Sequence, residues 1–319
     1  MSDSITAPAM GKLVQEWLSA GRRVAAPVSV NGKLFYRAIS SPAEIHWNGG
    51  RPANSIKEFI LPRHERLFSF RSNGHGVELE DGRLDARETV ILAARPCQAA
   101  ALPILDHVFN WDYRDEWYNL RRERTAVVTL ACSAFDEACF CTTVGGGPAN
   151  PAGSDAMLFE LGDGGFEVRA FSERGRALFA GKTQFSKHAP PAPEGPPQRF
   201  DAGAVPEFES PVWAERSLAC LGCGACSYNC PTCHCFDIVD EGGAARGARV
   251  KNWDACQFPL FTLHASGHNP RATQAERQRQ RIWHKFRIYP RKFGPALCTG
   301  CGNCARVCPV GLTIPEMLA

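Results

Sequence analysis

No stretch of the 319 residues approaches the roughly 18 consecutive apolar residues that a spanning helix needs, so an integral membrane protein is not expected. The opening MSDSITAPAMGKLVQEW has no basic segment running into an apolar one; no secretory signal is read there, and a cytoplasmic chain is expected. Charge of one sign is missing as well. The 36 Lys+Arg stand against 33 Asp+Glu, a balance of +3 that gives no reason for a nucleic-acid or membrane partner. Phosphate-binding fingerprints are absent. Gly145-Gly146-Gly147 lacks a Gly-Lys-Ser/Thr ending, and Gly74-His75-Gly76 has no third glycine in place, so neither flavin nor NAD is expected on this chain. No Ser/His/Asp arrangement stands out among the nine histidines, so substrate catalysis within the chain is not expected. What remains is an ordinary globular composition, 44% apolar and 22% charged.

Cysteine is the exception, with 15 residues. Disulfides are rare in a reducing compartment, so thiols in such number point to metal ligation or redox chemistry. Cys220-Leu-Gly-Cys223-Gly-Ala-Cys226-Ser-Tyr-Asn-Cys230-Pro231 is a C-x2-C-x2-C-x3-C-P run. Cys298-Thr-Gly-Cys301-Gly-Asn-Cys304-Ala-Arg-Val-Cys308-Pro309 repeats its spacing. Three thiolates two residues apart grip three corners of one cubane, and the fourth, ahead of the proline, closes the cluster held by the other run. The rule assigns Cys220, Cys223, Cys226 and Cys308 to one [4Fe–4S] cluster, and Cys298, Cys301, Cys304 and Cys230 to a second. Gly222, Gly224, Gly300 and Gly302 leave room for backbone N–H groups near the sulfides. Structural zinc uses two C-x2-C pairs and gives no reason for the third cysteine or the trailing C-P.

Prolines 190, 191, 193, 196, 197, 206 and 211 mark residues 185–211 as an extended linker. Residues 1–184 read as a mixed α/β domain. It has a helix at 10–20, strands at 26–37, 57–61, 66–70, 88–94 and 125–132, and a hairpin at 157–171 around Gly162-Asp163-Gly164-Gly165. Residues 212–319 read as an α-helical ferredoxin-like domain, with 67 residues between the cluster runs and a helix at 272–288. The overall class is α+β. Between 268 and 292 stand eight Lys or Arg and one acid, Glu276, a pattern read first as a solvated face and second as a docking surface for an acidic partner.

Seven cysteines lie outside the eight cubane positions. Cys97 and Cys132 each follow a strand-like run, and Cys139 and Cys141 come shortly after. Four thiols at the ends of adjacent strands suit a third [4Fe–4S] cluster, while the plainer reading is small buried hydrophobes. Cys233, Cys235 and Cys256 are read as packing around the clusters, since all eight ligands are already supplied.

The order of motifs then carries a resemblance. RPCQ at 95–98, CFCTTVGGGP at 139–148, CLGCGACSYNCPTCHCFD at 220–237, WDACQF at 253–258, HKF at 284–286 and CTGCGNCARVCP at 298–309 resemble the iron–sulfur β subunit of soluble NAD(P)-linked [NiFe] hydrogenases, the sulfhydrogenases. They resemble the iron–sulfur subunit of anaerobic sulfite reductases equally well. The family has Asp after RPC where Gln98 stands here, which puts any role for that acid in doubt and leaves the ligand role of Cys97 intact. The resemblance implies an electron-transfer subunit. Its partners would be a flavoprotein that exchanges electrons with NAD(P)H and either the small and large hydrogenase subunits or a sulfite reductase catalytic subunit. A competing reading is a reductase that works on a sulfur compound at the N-terminal cysteine site.

Overall fold

The computed structural model describes every residue except 1, 49, 83, 86, 187–189, 191, 192 and 319, together with the backbone alone of 2 and 186. Twelve strands occur among the described residues: β1 Ser2–Ile5, β2 Arg23–Val30, β3 Lys33–Ala38, β4 His64–Ser72, β5 Val77–Asp81, β6 Thr89–Ala94, β7 Thr125–Leu130, β8 Ala156–Glu160, β9 Phe166–Ala170, β10 Gln184–Ser186, β11 Phe236–Gly243 and β12 Arg246–Trp253. Eight of them form one sheet in the order β10-β1-β9-β8-β7-β6-β2-β3, with β2, β6, β7 and β8 mutually parallel.

β6 (TVILAA) and β7 (TAVVTL) are buried at every position, as central parallel strands covered on both faces must be. Side chains alternate between two cores. Val90, Leu92, Ala126 and Val128 pack with Leu13, Val14 and Trp17 of the helix Ala7–Ser19 on one face. Ile91, Ala94 and Val127 pack with Ile56, Leu102, Leu105 and Trp253 on the other. Parallel neighbours end side by side, and in open α/β sheets ligands gather beyond those carboxyl ends. Here the ends of β6 and β7 deliver Cys97 and Cys132. The register slips at Ala93 (φ 54°), a bulge that redirects the chain just before Arg95-Pro96-Cys97.

The mixed α/β reading holds, with local corrections. The run at 26–37 is two strands, turned at Asn31-Gly32, and 57–61 is not a strand: Ile56–Phe59 is a 3₁₀ turn capped by Ser55. The larger correction concerns 212–319. An all-helical tail is not what is found, because β11 and β12 form a hairpin whose β12 pairs antiparallel with β4, giving a second sheet β11-β12-β4-β5. Chain from both sides of the proline-rich segment therefore shares one sheet. The hairpin's exposed positions mix Phe236, Ile238 and Val239 with Asp240, Glu241, Arg246 and Arg249, which hides it in a tail otherwise rich in helix.

In the linker, residues 187–189, 191 and 192 lie outside the described residues. The rest is docked chain rather than a free spacer: Phe200 packs on Phe140 and Phe286, and the Arg199 guanidinium donates to the Cys139 carbonyl at 2.8 Å. Among the described residues no helix is long and apolar enough to cross a membrane.

Candidate iron–sulfur centres

Both cysteine runs fold alike. Each turns through two left-handed glycines into a one-turn helix, Ala225–Tyr228 in the first and Asn303–Arg306 in the second, and these two helices pack against each other. That pairing carries the last cysteine of each run toward the other. Cys220, Cys223, Cys226 and Cys308 all line one cavity, with Gln257, Gln278 and Arg281. Cys230 in turn lies within electrostatic reach of Cys298 and Cys301. Burial first, and Cys230 among the neighbouring thiols, push Cys298 up to about 12, with the Lys285 ammonium opposing. Thiols so crowded hold their protons unless a metal takes the protons' place.

The N-terminal four lie within electrostatic reach of one another. Cys97 is pushed up by burial and then by Cys132, Cys141 and Cys139; Cys141 is pushed up to about 11 by burial and then by Cys132 and Cys139. The group abuts the second run directly. Phe140 N–H donates to the Gly300 carbonyl at 2.9 Å, and Arg306 donates to the Cys139 sulfur at 3.2 Å while holding Asp136 at 2.7 Å. Gly300 (φ 65°) and Gly302 (φ 75°) make this approach possible: a Cβ on Gly300 would stand 2.5 Å from Cys141 Cα, and one on Gly302 2.4 Å from the Ala138 carbonyl oxygen. Cys97, Cys141 and Cys298 line a common cavity of about 220 Å³ that also meets Gly145–Gly147. The three sets thus adjoin in a row, first run, second run, N-terminal group.

Residues outside the cysteine motifs complete the chemistry. The basic stretch at 268–292 is in part an internal feature and not simply a solvated face. Arg277, Arg281 and Lys285, each four residues after the last, are all buried. A capping box, Thr273 with Glu276, starts this helix (Gln274–Trp283), and a π-helical turn at His284–Ile288 continues it. Lys285 Nζ donates to the Cys230 sulfur at 3.3 Å and to the Leu297 carbonyl at 3.0 Å. Arg281 lines the first cavity, and its Nε has no hydrogen-bond partner among the described residues. Burial alone would lower the Arg281 pKa, yet Cys226 and Cys304 reverse this and raise it. Arg51 behaves alike: burial opposes its charge, while Cys132, Cys139 and Cys97 raise its pKa. Among the described residues none of Arg51, Arg281 and Lys285 has a carboxylate within ion-pair distance.

A buried cation without a counter-charge is costly, so this arrangement requires negative charge on the sulfurs. Thiolate-bound iron–sulfur clusters supply it, and the donor set therefore fits them. Amide and backbone donors add to the fit. Gln278 and Gln274 donate to the Cys220 sulfur at 3.0 and 3.3 Å, and Leu312 N–H to the Cys308 sulfur at 3.3 Å. Hydrogen bonds to sulfur of this kind raise cluster potentials. The cations were legible only as a charge run; their four-residue spacing, one stripe of a helix, was the signal that they share a face.

Comparison with known proteins agrees with this geometry. Residues 219–312 match the family model described as a 4Fe-4S dicluster domain. Sulfhydrogenase 2 subunit beta of Pyrococcus furiosus is 29% identical over 315 residues, which covers 93% of this chain and 91% of the relative. No solved structure matches. The resemblance read from the motifs is upheld: the chain carries a 4Fe-4S dicluster domain and is a homologue of a sulfhydrogenase β subunit.

Proposed function

We propose that this chain is the iron–sulfur relay subunit of a cytoplasmic hydrogenase-type complex. It would pass single electrons between a partner subunit that binds flavin and NAD(P) and a [NiFe] hydrogenase module. On this reading Cys220, Cys223, Cys226 and Cys308 hold one [4Fe–4S] cluster, and Cys298, Cys301, Cys304 and Cys230 hold the second. Cys97, Cys132, Cys139 and Cys141 hold a third. The dicluster unit is then a helical ferredoxin core, built on the two paired one-turn helices and interrupted by the β11–β12 hairpin.

The observation that carries this reading is the succession of three adjoining cysteine sets, each beside a cation, buried for Arg281 and Lys285 and half-buried for Arg51, with no carboxylate within ion-pair distance among the described residues. When bound, the clusters supply the one-electron chemistry. The protein's own part is to hold thiolates, exclude water and direct N–H and cationic groups at sulfur, which sets the potential.

Two measurements test the proposal. Iron and acid-labile sulfide in anaerobically purified protein should reach about twelve of each per chain, four for each of three cubanes. Eight would remove the N-terminal cluster, and zinc in place of iron would end the redox account. Cys308→Ser should perturb the EPR signal of the cluster held by Cys220, Cys223 and Cys226. Loss of only the Cys298–Cys304 cluster would overturn the exchange of ligands between the runs.

A further inference from the structure

Three thiols remain once the proposed ligands are set aside. Cys233 is half-buried beside Cys230 and belongs with the second cysteine set. Cys235 and Cys256 form a separate pair. Cys235 immediately precedes β11, and Cys256 lies three residues after β12, so the hairpin brings them together from 21 positions apart. Asp254 N–H donates to the Cys235 carbonyl at 3.0 Å, which sets the two thiols side by side, and both are free rather than bridged. Both line a cavity of about 420 Å³ with His234, Phe261, Arg271 and His284. Reach from solvent, a second thiol on the same cavity and a roomy, partly aromatic pocket are what a reactive dithiol needs and what packing alone does not.

We infer that Cys235 and Cys256 are a redox-active dithiol that reacts with low-molecular-weight disulfides admitted to this cavity. Cys256 is the attacking sulfur. The neighbouring Cys235 thiol, helped by the Gln257 amide at 3.7 Å, lowers its pKa against the opposing effect of burial. The Cys256 thiolate attacks one sulfur of the disulfide; a Cys256–S–S–R bond forms, the R–S–S–R bond breaks, and one thiolate leaves. Cys235 then displaces the second thiolate and closes Cys235–Cys256. The small disulfide gains two electrons, the protein thiols lose two, and their two protons end on the two released thiols. Arg271 carries the positive charge among the lining residues, which favours an anionic disulfide.

The pair also communicates with the first cysteine set. Gln257, next to Cys256, accepts from the Gln274 amide at 2.9 Å, and that amide donates to the Cys220 sulfur at 3.3 Å. Cys226 lies within electrostatic reach of Cys256 itself. Closing the disulfide therefore pulls on a side chain whose hydrogen-bond chain ends on Cys220.

The test uses the full chain, purified anaerobically with its iron, and oxidised glutathione as the probe. The expected result is release of two glutathione thiols per chain and a Cys235–Cys256 linked peptide by mass spectrometry. Cys235→Ser should stop at a mixed disulfide on Cys256 with one thiol released, and both Cys235→Ser and Cys256→Ser should retain the wild-type iron content. Wild-type protein that keeps both thiols alkylatable after exposure would overturn the inference. So would loss of iron from either variant, since that makes the thiols cluster ligands. Neither result bears on whether electrons cross the chain.

Discussion

At the scale of single residues, the notable feature is cationic charge placed against sulfur. Arg281 is buried at 7% exposure beside Cys226 and Cys304, so it faces ligands of both proposed dicluster centres. A fixed positive charge at that point stabilises the reduced, more negative state of a cluster. Arg281→Gln should therefore lower the midpoint potential of the cluster held by Cys220, Cys223, Cys226 and Cys308 by roughly 60 mV, the one-electron equivalent of a tenfold change in equilibrium. Redox titration followed by EPR measures this; an unchanged potential would show that the guanidinium is screened from the cluster. Arg281→Lys keeps the charge and should recover most of the shift, which separates electrostatics from packing. The cysteine positions themselves were legible from spacing. The cations were legible only as a shared stripe, because four-residue spacing puts Arg277, Arg281 and Lys285 on one helix face but does not say whether that face turns inward.

At the scale of elements, the joint between the second cysteine run and the Cys139–Cys141 segment is the most constrained. Gly300 needs both its positive φ and its missing Cβ, since backbone of Phe140 and Cys141 occupies the space. Gly300→Ala should destabilise the protein by more than about 1 kcal/mol, as alanine does where φ is positive, with added cost from the backbone clash. The same variant should lose iron from the N-terminal set while the first cluster survives; denaturant unfolding and an iron count read the two effects. A variant with full iron and unchanged stability would mean that this joint is not tight in solution. Strands β6 and β7 were readable in the sequence because both are continuous apolar runs. The hairpin β11–β12 was not: its exposed residues mix Phe236, Ile238 and Val239 with Asp240, Glu241, Arg246 and Arg249, and its pairing partner β4 lies more than 170 residues earlier.

At the scale of the whole molecule, Trp253 ties the two halves together. It ends β12, packs with Ile56, Ile60 and Leu102 of the N-terminal half, donates its indole N–H to the Leu61 carbonyl at 3.0 Å, and lies under Lys57 Nζ at 4.1 Å. Trp253→Ala should cost about 3–5 kcal/mol, the range for a large aromatic lost from a core, and should do so in one cooperative transition. Two separated transitions would instead show halves that fold independently. Iron is the other global tie. Removing it with a chelator should lower the unfolding temperature by several degrees, since the bound cluster stabilises the native state and Arg51, Arg281 and Lys285 lose the charge that balances them. Equal stability of the iron-free and iron-loaded protein would contradict that coupling.

By itself the sequence determined the chemistry: two matched cysteine runs, with glycines between the thiols, specify cubane ligation through local spacing alone, and the motif order specifies the homology. The parallel core strands were likewise written in contiguous apolar residues. Only the tertiary structure decided that Cys97, Cys132, Cys139 and Cys141 come within electrostatic reach of one another, that the basic stripe turns inward, and that Cys235 and Cys256 line one cavity. These depend on contacts between residues far apart in the chain. Spacing along a strand or loop fixes neighbours a few residues away, whereas convergence of distant thiols is set by how sheets and helices pack.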